Sequence, residues 1–393
     1  MKRVGFFLGV EPRAGGMFQY AESLLEAFRS LPTQDFEIEV AFLSSDWEKI
    51  LANYPFKSQR LQNGRWGLLM ADLLMALRLP GFFVRKISSL FNPLARQLLK
   101  MKCELWVFPA QDALSFQLDS PVVSTIHDLM HRYEGSFPEV SSLKRRAIRD
   151  YRFNSIYRWS RGVLVDSTVG KQHVIESYGG RGDNIYDLPY VVPSHILRDP
   201  EALDFEKRYR LPEKFIFYPA QFWSHKNHLR LVSAAAALKH LGVTLVFTGM
   251  KNHGYQEILD RAKSLCIENR IIFMDYVPNQ DLSGFYKRAR ALMMPTFFGP
   301  TNIPPLEAFA CGCPVAISNT YGMPEQAGGA ALLFDPHSDA DITEAMERLW
   351  TDDHLCQELS QKGLERSKNW GPKQFAKRFE NILIQVWKDG HIG

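Results

Sequence analysis

The sequence is poor in cysteine, carries little net charge and contains no long apolar run. Its 5 cysteines include Cys311 and Cys313, separated by one glycine, and their spacing fits neither a disulfide framework nor a zinc site. No run of about 18 uninterrupted apolar residues occurs, so no segment is expected to cross a membrane. A net charge of +4 is too small to indicate nucleic-acid binding. We therefore expect a cytoplasmic protein with reduced cysteines and no structural metal.

Length and composition favour a globular protein of two domains. Of its 393 residues, 46% are hydrophobic and 23% are charged. Short apolar runs alternate with segments of helical periodicity, which is typical of parallel sheets built from βαβ units. The pattern predicts an α/β protein with two Rossmann-like domains, joined near residues 193–212 and facing a central cleft. The predicted strands are 4–8, 38–42, 105–108, 122–126 and 162–165 in the first half, and 215–218, 244–247, 271–274, 291–294, 315–317 and 331–334 in the second.

Two further segments are predicted to form amphipathic helices. Residues 372–387 place five apolar side chains on one face, namely Phe375, Phe379, Ile382, Leu383 and Val386. Residues 65–102 interleave leucine and phenylalanine with basic residues, including Arg85 and Lys86. A segment of this kind can lie on an anionic membrane, and it can also pack on a sheet with a solvated basic face. The second interpretation is the more common one, and the sequence leaves both open.

One stretch has the features of an anion-binding helix start followed by a buried strand; it reads FFGPTNIPPLEAFACGCPVAISN. Pro304 and Pro305 suit the first turn of a helix, where a missing N–H is not needed. Thr301 and Asn302 precede them as capping or ligand-contacting residues. Free N–H groups and the helix dipole attract anions, and the carboxylate of Glu307, about one turn in, suits ribose hydroxyls. The stretch therefore predicts a site for a nucleotide diphosphate.

Polar or glycine-rich loops follow three other predicted strands. Gly15 and Gly16 follow the first strand and let backbone N–H groups approach a diphosphate or an acceptor. His127 follows the strand at 122–126, where it can bond a sugar hydroxyl or the diphosphate, or be a loop histidine satisfied by Asp128. Lys226 lies in the loop after 215–218 and is a point charge suited to phosphate oxygens. Ligands of such sheets bind at the carboxyl ends of the strands, so these loops are predicted to line the cleft.

Taken in order, these motifs resemble the retaining glycosyltransferases of family 4, which have the two-domain GT-B fold. The resemblance covers nearly the whole chain. It implies an N-terminal acceptor-binding domain at 1–195, a nucleotide-sugar-binding domain at 196–371, and a final helix at 372–393 that crosses back to pack on the first domain. It rests on Gly15-Gly16, His127-Asp128, Ser167, Lys226-Asn227, Gly249 and, above all, PPLEAFACGCPVAISN.

The resemblance also implies a reaction and a set of site residues. Members of this family transfer a sugar from a nucleotide diphosphate donor to a hydroxyl, with retention of configuration and without a bound metal or other cofactor. The catalytic residues it implies are His127, Lys226 and Glu307. The donor-binding residues it implies are Gly15, Gly16, Gln221, His225, Gly249, Tyr276, Val277, Thr301, Asn302, Ile303 and Leu306. The implied partners are a nucleotide-sugar donor and a glycan or lipid-linked acceptor of surface polysaccharide biosynthesis, with no nucleic acid.

Two departures from the family pattern bear on the donor. The usual pair of glutamates has seven residues between its members, and the first position here is Gly299, so the main chain or Asn302 must replace that carboxylate. The arginine often paired with the lysine has no counterpart, and Gln221 or His225 occupies that neighbourhood. A GDP-sugar such as GDP-mannose is the expected donor, with UDP-sugars next. The alternatives are a nucleotide-sugar epimerase or hydrolase of the same fold, and an inactive nucleotide-sugar-binding protein.

Overall fold

The chain divides into two compact units. The computed structural model describes residues 1–12, 15–197, 205–275 and 277–389. The first unit comprises Met1–Gly135, Val140–Pro189 and Pro372–Gly393, and the second comprises Ser136–Glu139 and Tyr190–Gly371. The junction after Pro189 lies a few residues before the boundary inferred at 195 and 196, and the short segment 136–139 belongs to the second unit.

A seven-stranded parallel sheet forms the centre of the first unit. Its strands are β1 (Lys2–Leu8), β2 (Phe36–Phe42), β3 (Lys57–Arg60), β4 (Leu105–Phe108), β5 (Val122–Thr125), β6 (Gly162–Val165) and β7 (Ile185–Asp187). Their order is β3-β2-β1-β4-β5-β6-β7. Because β1 pairs with both β2 and β4, the direction of winding reverses between β1 and β4. Ligands of open α/β sheets bind outside the carboxyl ends of the strands at such a switch point.

Helices cover this sheet, and the C-terminal helix belongs to the same unit. They are α1 (Gly16–Arg29), α2 (Asp46–Leu51), α3 (Gly64–Ala76), α4 (Gly81–Phe91), α5 (Pro93–Lys100), α6 (Ala113–Gln117), α7 (Met130–Tyr133), α8 (Leu143–Trp159), α9 (Thr168–Tyr178) and α19 (Pro372–Lys388). The amphipathic helix predicted at 372–387 is present as α19, and its five predicted apolar residues are buried. It packs on α1, with the ring centroids of Phe28 and Phe379 5.0 Å apart.

The second unit is built on a six-stranded parallel sheet. Its strands are β8 (Ile216–Pro219), β9 (Leu245–Thr248), β10 (Ile271–Met274), β11 (Ala291–Met294), β12 (Val315–Ser318) and β13 (Leu332–Phe334). Their order is β10-β9-β8-β11-β12-β13, so the switch point lies between β8 and β11. Central strands such as β11 are buried along their whole length, which explains their continuous apolar sequence.

Helices on both faces complete the second unit. They are α10 (Ser194–Leu197), α11 (Phe205–Tyr209), α12 (His228–Ala237), α13 (Tyr255–Ser264), α14 (Asn279–Arg288), α15 (Ile303–Ala310), α16 (Met323–Ala327), α17 (Asp339–Thr351) and α18 (Asp353–Asn369). The helix α12 ends at Ala237, and a 3₁₀ turn, Lys239–Leu241, follows it. None of the helices in the described ranges combines the length and the apolar character that a membrane crossing requires.

Two edge strands of the first sheet were absent from the prediction. The strand β3 has the sequence Lys57-Ser-Gln-Arg, and all four of its residues are exposed. It is held by backbone pairing to β2 and by an ion pair between Lys57 Nζ and Glu37 Oε1 at 2.5 Å. The strand β7 has only three residues at the opposite edge. Hydrophobic periodicity misses β3 because an exposed edge needs no apolar run, and it misses β7 because three residues are too few to show a period, although Ile185 and Tyr186 are buried.

Candidate functional site

In the second unit, the loops that follow β8 and β11 are tied together beside the switch point. Asn227 is buried, and its Nδ2 donates to the carbonyl oxygens of Pro295 at 2.9 Å and Pro336 at 3.0 Å. The backbone N–H of Phe297 donates to the carbonyl of His225 at 2.9 Å. These bonds fix the loop that carries Lys226 against the loop that leads into α15.

Lys226 joins the two loops through its side chain as well. Its Nζ donates to Asn302 Oδ1 at 3.1 Å, and its carbonyl accepts a hydrogen bond from the hydroxyl of the buried Tyr218 at 3.1 Å. Tyr218 lies on β8, so this bond attaches the backbone of Lys226 to the central sheet. The arrangement places a positive charge beside the start of α15.

The start of α15 is held by Gln326 of α16. Gln326 Oε1 accepts from the N–H of Asn302 at 3.0 Å, and Gln326 Nε2 donates to the carbonyl of Asn302 at 2.6 Å. Asn302 stands at the N-cap of α15, but its side chain makes no capping bond. The capping role considered for Asn302 is therefore wrong, because its amide bonds Lys226 and the Sδ of Met323 instead. A helix terminus without a side-chain cap presents its first N–H group and its dipole to an anion.

Gly299 is short of space for any side chain. A Cβ atom built there would lie 2.2 Å from Asn302 Nδ2. The amide of Asn302 thus occupies the position into which a glutamate at 299 would begin to project. Asn302 therefore fills the space of the missing glutamate, and the same side chain binds Lys226.

Glu307 is buried inside the second unit, with 3% of its surface exposed. Tyr286 on α14 donates its hydroxyl to Glu307 Oε2 at 2.7 Å. Burial, together with the adjacent carboxylate, raises the pKa of Tyr286 well above its usual value, so the phenol stays protonated and donates. His195 on α10 brings Nε2 within 3.5 Å of Glu307 Oε1. The hydroxyl of Tyr286 therefore orients this carboxylate, and the ring of His195 lies beside it.

His225 is paired with a carboxylate from the short segment 136–139. Its Nδ1 lies 3.1 Å from Glu139 Oε1, and its backbone N–H is 3.3 Å from the same oxygen. Burial opposes the charged form of Glu139, yet these hydrogen bonds outweigh it and lower the pKa of Glu139 to about 2. Glu139 therefore stays charged near neutrality and fixes His225 at the rim of the Lys226 loop.

The remaining predicted donor residues lie in neighbouring loops. Gln221 Oε1 accepts from Trp223 Nε1 at 2.8 Å and from Asn252 Nδ2 at 3.1 Å, so its carbonyl braces the loop after β8. Gly249 follows β9 with a φ of 152°, and a Cβ there would lie 2.4 Å from the carbonyl oxygen of Ala220. Val277, Ile303 and Leu306 are buried, and Thr301 is half-buried. Tyr276, another implied donor-binding residue, lies outside the described residues.

In the first unit, His127 lies close to the switch point of its sheet. It is buried, and its Nε2 donates to the carbonyl of Pro109, just after β4, at 2.9 Å. Its ring makes an edge contact with Tyr20 of α1, with centroids 5.0 Å apart. Burial lowers the pKa of His127 to about 4, so the imidazole is neutral at pH 7. Asp128 Oδ1 accepts a hydrogen bond from the backbone N–H of Met130 at 2.9 Å.

The glycine loop of the first unit begins α1. Gly15 is its N-cap with a φ of 62°, a conformation that favours glycine, and Gly16 is its first residue. Asp112, in the loop after the neighbouring strand β4, was not predicted. Burial raises the pKa of its carboxyl group to about 6, and its Oδ2 has no hydrogen-bond partner among the described residues. A carboxyl group of this kind suits proton exchange near neutrality.

Within the second unit the structure thus brings together Lys226, Asn302 and the start of α15, with Glu307 one turn further. The residues that sequence reasoning missed are Tyr286, His195, Gln326 and Asp112. None of them carries a local signal, because a tyrosine in a helix or a histidine near a junction is common in any fold. Tyr286 and His195 are identified as site residues only by their contacts with Glu307, and Gln326 only by its bonds to Asn302. Asp112 is identified by its position after β4.

Comparison with known sequences shows similarity over part of this chain. Residues 200–366 match the family described as "Glycosyl transferases group 1". The chain is 26% identical over 235 residues to "Serotype-specific mannosyltransferase WbdA" from Escherichia coli, covering 56% of this chain and 28% of that protein. It is 26% identical over 214 residues to "O-antigen chain mannosyltransferase B" from Escherichia coli, covering 53% of this chain and 56% of that protein. The matches thus span little more than half the length of these relatives, or less.

Solved structures share the fold over the whole chain. The Anabaena protein Alr3699/HepE in complex with UDP and glucose superposes with a TM-score of 0.72 at 16% identity, covering 98% of this chain and all (100%) of that one. Sucrose-phosphate synthase from Thermosynechococcus elongatus gives a TM-score of 0.74 at 16% identity, covering 99% and 100%. WaaG, a glycosyltransferase of lipopolysaccharide biosynthesis, gives 0.67 at 13% identity, covering 97% and 99%. The chain therefore has the GT-B fold of glycosyltransferases, and its residues 200–366 match group 1 of that class.

Proposed function

We propose that this protein is a retaining glycosyltransferase of family 4 that transfers a sugar, with mannose from GDP-mannose as the first candidate, to a hydroxyl of a glycan or glycolipid in surface polysaccharide biosynthesis. The observation that carries the proposal is the bond between Lys226 and Asn302, which places an ammonium group beside the start of α15 at a switch point. The group 1 match and the names of the two mannosyltransferase relatives support the reaction and the sugar.

The proposed mechanism stabilises the departing nucleotide diphosphate. Cleavage of the bond to the sugar leaves negative charge on the phosphate oxygens. Lys226 and the N–H group of Ile303, at the uncapped start of α15, are hydrogen-bond donors. They stabilise the transition state, in which negative charge builds up on the departing diphosphate, more than the ground state. Glu307 would accept from the ribose hydroxyls, held in orientation by the hydroxyl of Tyr286. Gln221, His225, Gly249 and Val277 would line the rest of the donor site.

Asn302 would take over the contact that a glutamate at 299 makes in the family. Its amide occupies the space beside Gly299 and is locked by Gln326 on one side and by Lys226 on the other. An amide can both donate to and accept from a sugar hydroxyl, whereas a carboxylate only accepts. This difference is expected to change the preference among donor sugars more than the reaction.

The first unit would supply the acceptor side. Gly15 and Gly16 open α1 beside β1, and neutral His127 is able to hydrogen-bond a hydroxyl without adding charge. We propose front-side attack by the acceptor hydroxyl, whose oxygen bonds the anomeric carbon as the bond to the diphosphate breaks. The departing diphosphate accepts the hydroxyl proton. No metal ion or other cofactor takes part, so turnover is expected to survive a chelator.

Calorimetric titration tests the donor and the role of Lys226. The full chain is titrated with GDP-mannose and UDP-glucose, alongside Lys226→Ala and the control Lys263→Ala, an exposed lysine of the same unit. Loss of the charge–phosphate contacts should weaken donor binding or transfer by about 100-fold or more in Lys226→Ala only. Unchanged binding together with unchanged transfer in Lys226→Ala would remove this residue from the mechanism. Tighter binding of UDP-glucose would replace the mannosyl proposal with a UDP-sugar donor.

Donor turnover without acceptor separates the alternatives. The donor is incubated with the enzyme and followed by NMR. A transferase should leave most of it intact, whereas an epimerase or hydrolase converts it. Binding with no turnover over a panel of glycan and glycolipid acceptors would instead favour an inactive binding protein.

A further inference from the structure

Residues 66–91 of the first unit concentrate exposed apolar side chains. The described residues expose fifteen large hydrophobic side chains, and nine of these lie in this segment. They are Trp66, Leu68, Leu69, Leu73, Leu77, Phe82, Phe83, Leu90 and Phe91. Scattered exposed leucines are ordinary, but a cluster of this size marks an interaction surface.

Helix α3 has two apolar faces. Gly67, Ala71, Leu74 and Met75 are buried against the unit. On the other side, Trp66, Leu69 and Leu73, with Leu77 just after the helix, follow the spacing i, i+3, i+7, i+11, which forms one stripe along a helix. These four side chains are 71%, 52%, 61% and 57% exposed. A helix that is apolar on both sides is expected to pack against other groups on both sides. One apolar side of α3 faces solvent instead.

Helix α4 continues the pattern. It buries Val84 and Ser88, while Phe82, Phe83 and Leu90 are exposed. Lys86 stands between these apolar residues on the helix, and its Nζ lies 4.3 Å from the centroid of the Phe82 ring. We call the exposed side chains of α3, Leu77 and α4 the α3–α4 face. Aromatic rings combined with lysine in this way suit the boundary between lipid headgroups and acyl chains.

The charge of this segment is mostly positive. Residues 64–100 contain six basic residues and one acidic residue, Asp72, which lies 3.8 Å from Arg152. Arg85 is not on the face, because it bonds the carbonyl of Ser120 at 3.3 Å and packs on Trp159. The basic residues that are exposed are Arg65, Arg78, Lys86, Arg96 and Lys100.

We propose that the α3–α4 face docks the protein on an anionic lipid bilayer as a peripheral membrane protein. Leucine and aromatic side chains would enter the interfacial region, and the surrounding arginines and lysines would attract anionic headgroups. Five exposed basic residues against the single carboxylate of Asp72 favour lipid over a second copy of the chain, since such a pair would bring mostly positive charges together. The proposal does not depend on the glycosyltransferase activity.

Vesicle co-sedimentation with the full chain tests this proposal. The protein is mixed with vesicles of phosphatidylglycerol and phosphatidylethanolamine, and in parallel with vesicles of phosphatidylcholine alone. Binding is expected on the anionic vesicles and should weaken as salt is raised. Equal binding to both kinds of vesicle, or binding to neither, would overturn the proposal.

Two triple variants separate the apolar and the electrostatic contributions. The variant Arg65→Gln, Arg78→Gln, Lys86→Gln should lose about 100-fold in affinity for the anionic vesicles. The control Lys239→Gln, Lys263→Gln, Lys368→Gln removes the same charge from exposed sites elsewhere and should bind like the wild type.

The variant Trp66→Ser, Leu73→Ser, Phe83→Ser should lose at least about tenfold, whereas the control Leu143→Ser, Leu197→Ser, Leu333→Ser should not. All substituted side chains are exposed, so the variants should fold, and circular dichroism checks this. Equal losses in test and control variants would contradict the proposal. A wild-type dimer that the apolar variant abolishes, without vesicle binding, would identify the face as an interface between copies.

Discussion

The hydroxyl of Tyr286 donates a hydrogen bond of 2.7 Å to Glu307 Oε2, and both residues are buried. This bond connects α14 to α15 and orients the carboxylate that we propose for ribose recognition. His195 approaches the other carboxylate oxygen at 3.5 Å. The orientation of Glu307 therefore depends on a residue that is 21 positions away in sequence.

Tyr286→Phe should weaken binding of the donor nucleotide by about tenfold, because it removes a hydrogen bond to a charged group and frees the carboxylate to rotate. Calorimetric titration with the preferred nucleotide measures the effect. The matched control is Tyr151→Phe, which deletes the hydroxyl that bonds the carbonyl of Leu79 in the first unit. Equal affinities for Tyr286→Phe and the wild type would contradict the positioning role.

Gly299→Glu should disrupt the donor site through Asn302, since the new Cβ would lie 2.2 Å from Asn302 Nδ2 and displace the amide from Lys226. The double variant Gly299→Glu, Asn302→Ala removes the obstacle. We expect it to bind donor better than Gly299→Glu alone, with a coupling energy of about 1–2 kcal/mol in a double-mutant cycle. Additive effects of the two substitutions would show that the two positions do not compete for space.

Gly249→Ala should lower the melting temperature more than Gly329→Ala does. Both positions have positive φ, 152° and 81°, so both variants are strained. Only at 249 does the added Cβ meet backbone, 2.4 Å from the carbonyl oxygen of Ala220, whereas at 329 nothing lies within 4 Å. The extra cost at 249 is about 2 kcal/mol or more. Differential scanning calorimetry of the two variants checks the order, and equal shifts would contradict it.

Acid should destabilise the second unit through His228. Burial lowers the pKa of this histidine to about 3, so between pH 3 and its unfolded value of about 6.5 the unfolded state binds the extra proton. Stability is therefore present above pH 6.5 and is lost as the pH falls through that window. From pH 7 to pH 5 the loss is about 2 kcal/mol.

Urea unfolding of the wild type and His228→Gln at both pH values measures this contribution. The variant should show a pH dependence smaller by about that amount. Asp112, whose pKa is raised to about 6, acts in the opposite direction but is common to both proteins. Parallel pH dependences would show that His228 does not titrate as its burial requires.

Most elements that lie near the site could be predicted from sequence. Strands such as β11 and β12 are buried along their whole length, so their apolar runs are unmistakable. The start of α15 was recognisable because proline is tolerated only in a first turn, and α19 because its apolar residues recur at helical spacing. The edge strands β3 and β7 were not, because β3 is exposed and carries no apolar run, and β7 has only three residues.

By itself the sequence determined two parallel sheets, the glycine and lysine loops at their carboxyl ends, and an anion-attracting helix start, since each depends on residues close together in the chain. Only the tertiary structure decided how Glu307 is oriented, what fills the space at Gly299 and which side chain meets Lys226. It also decided which side of α3 stays uncovered. These are contacts between distant segments, and their geometry follows from packing that no local pattern encodes.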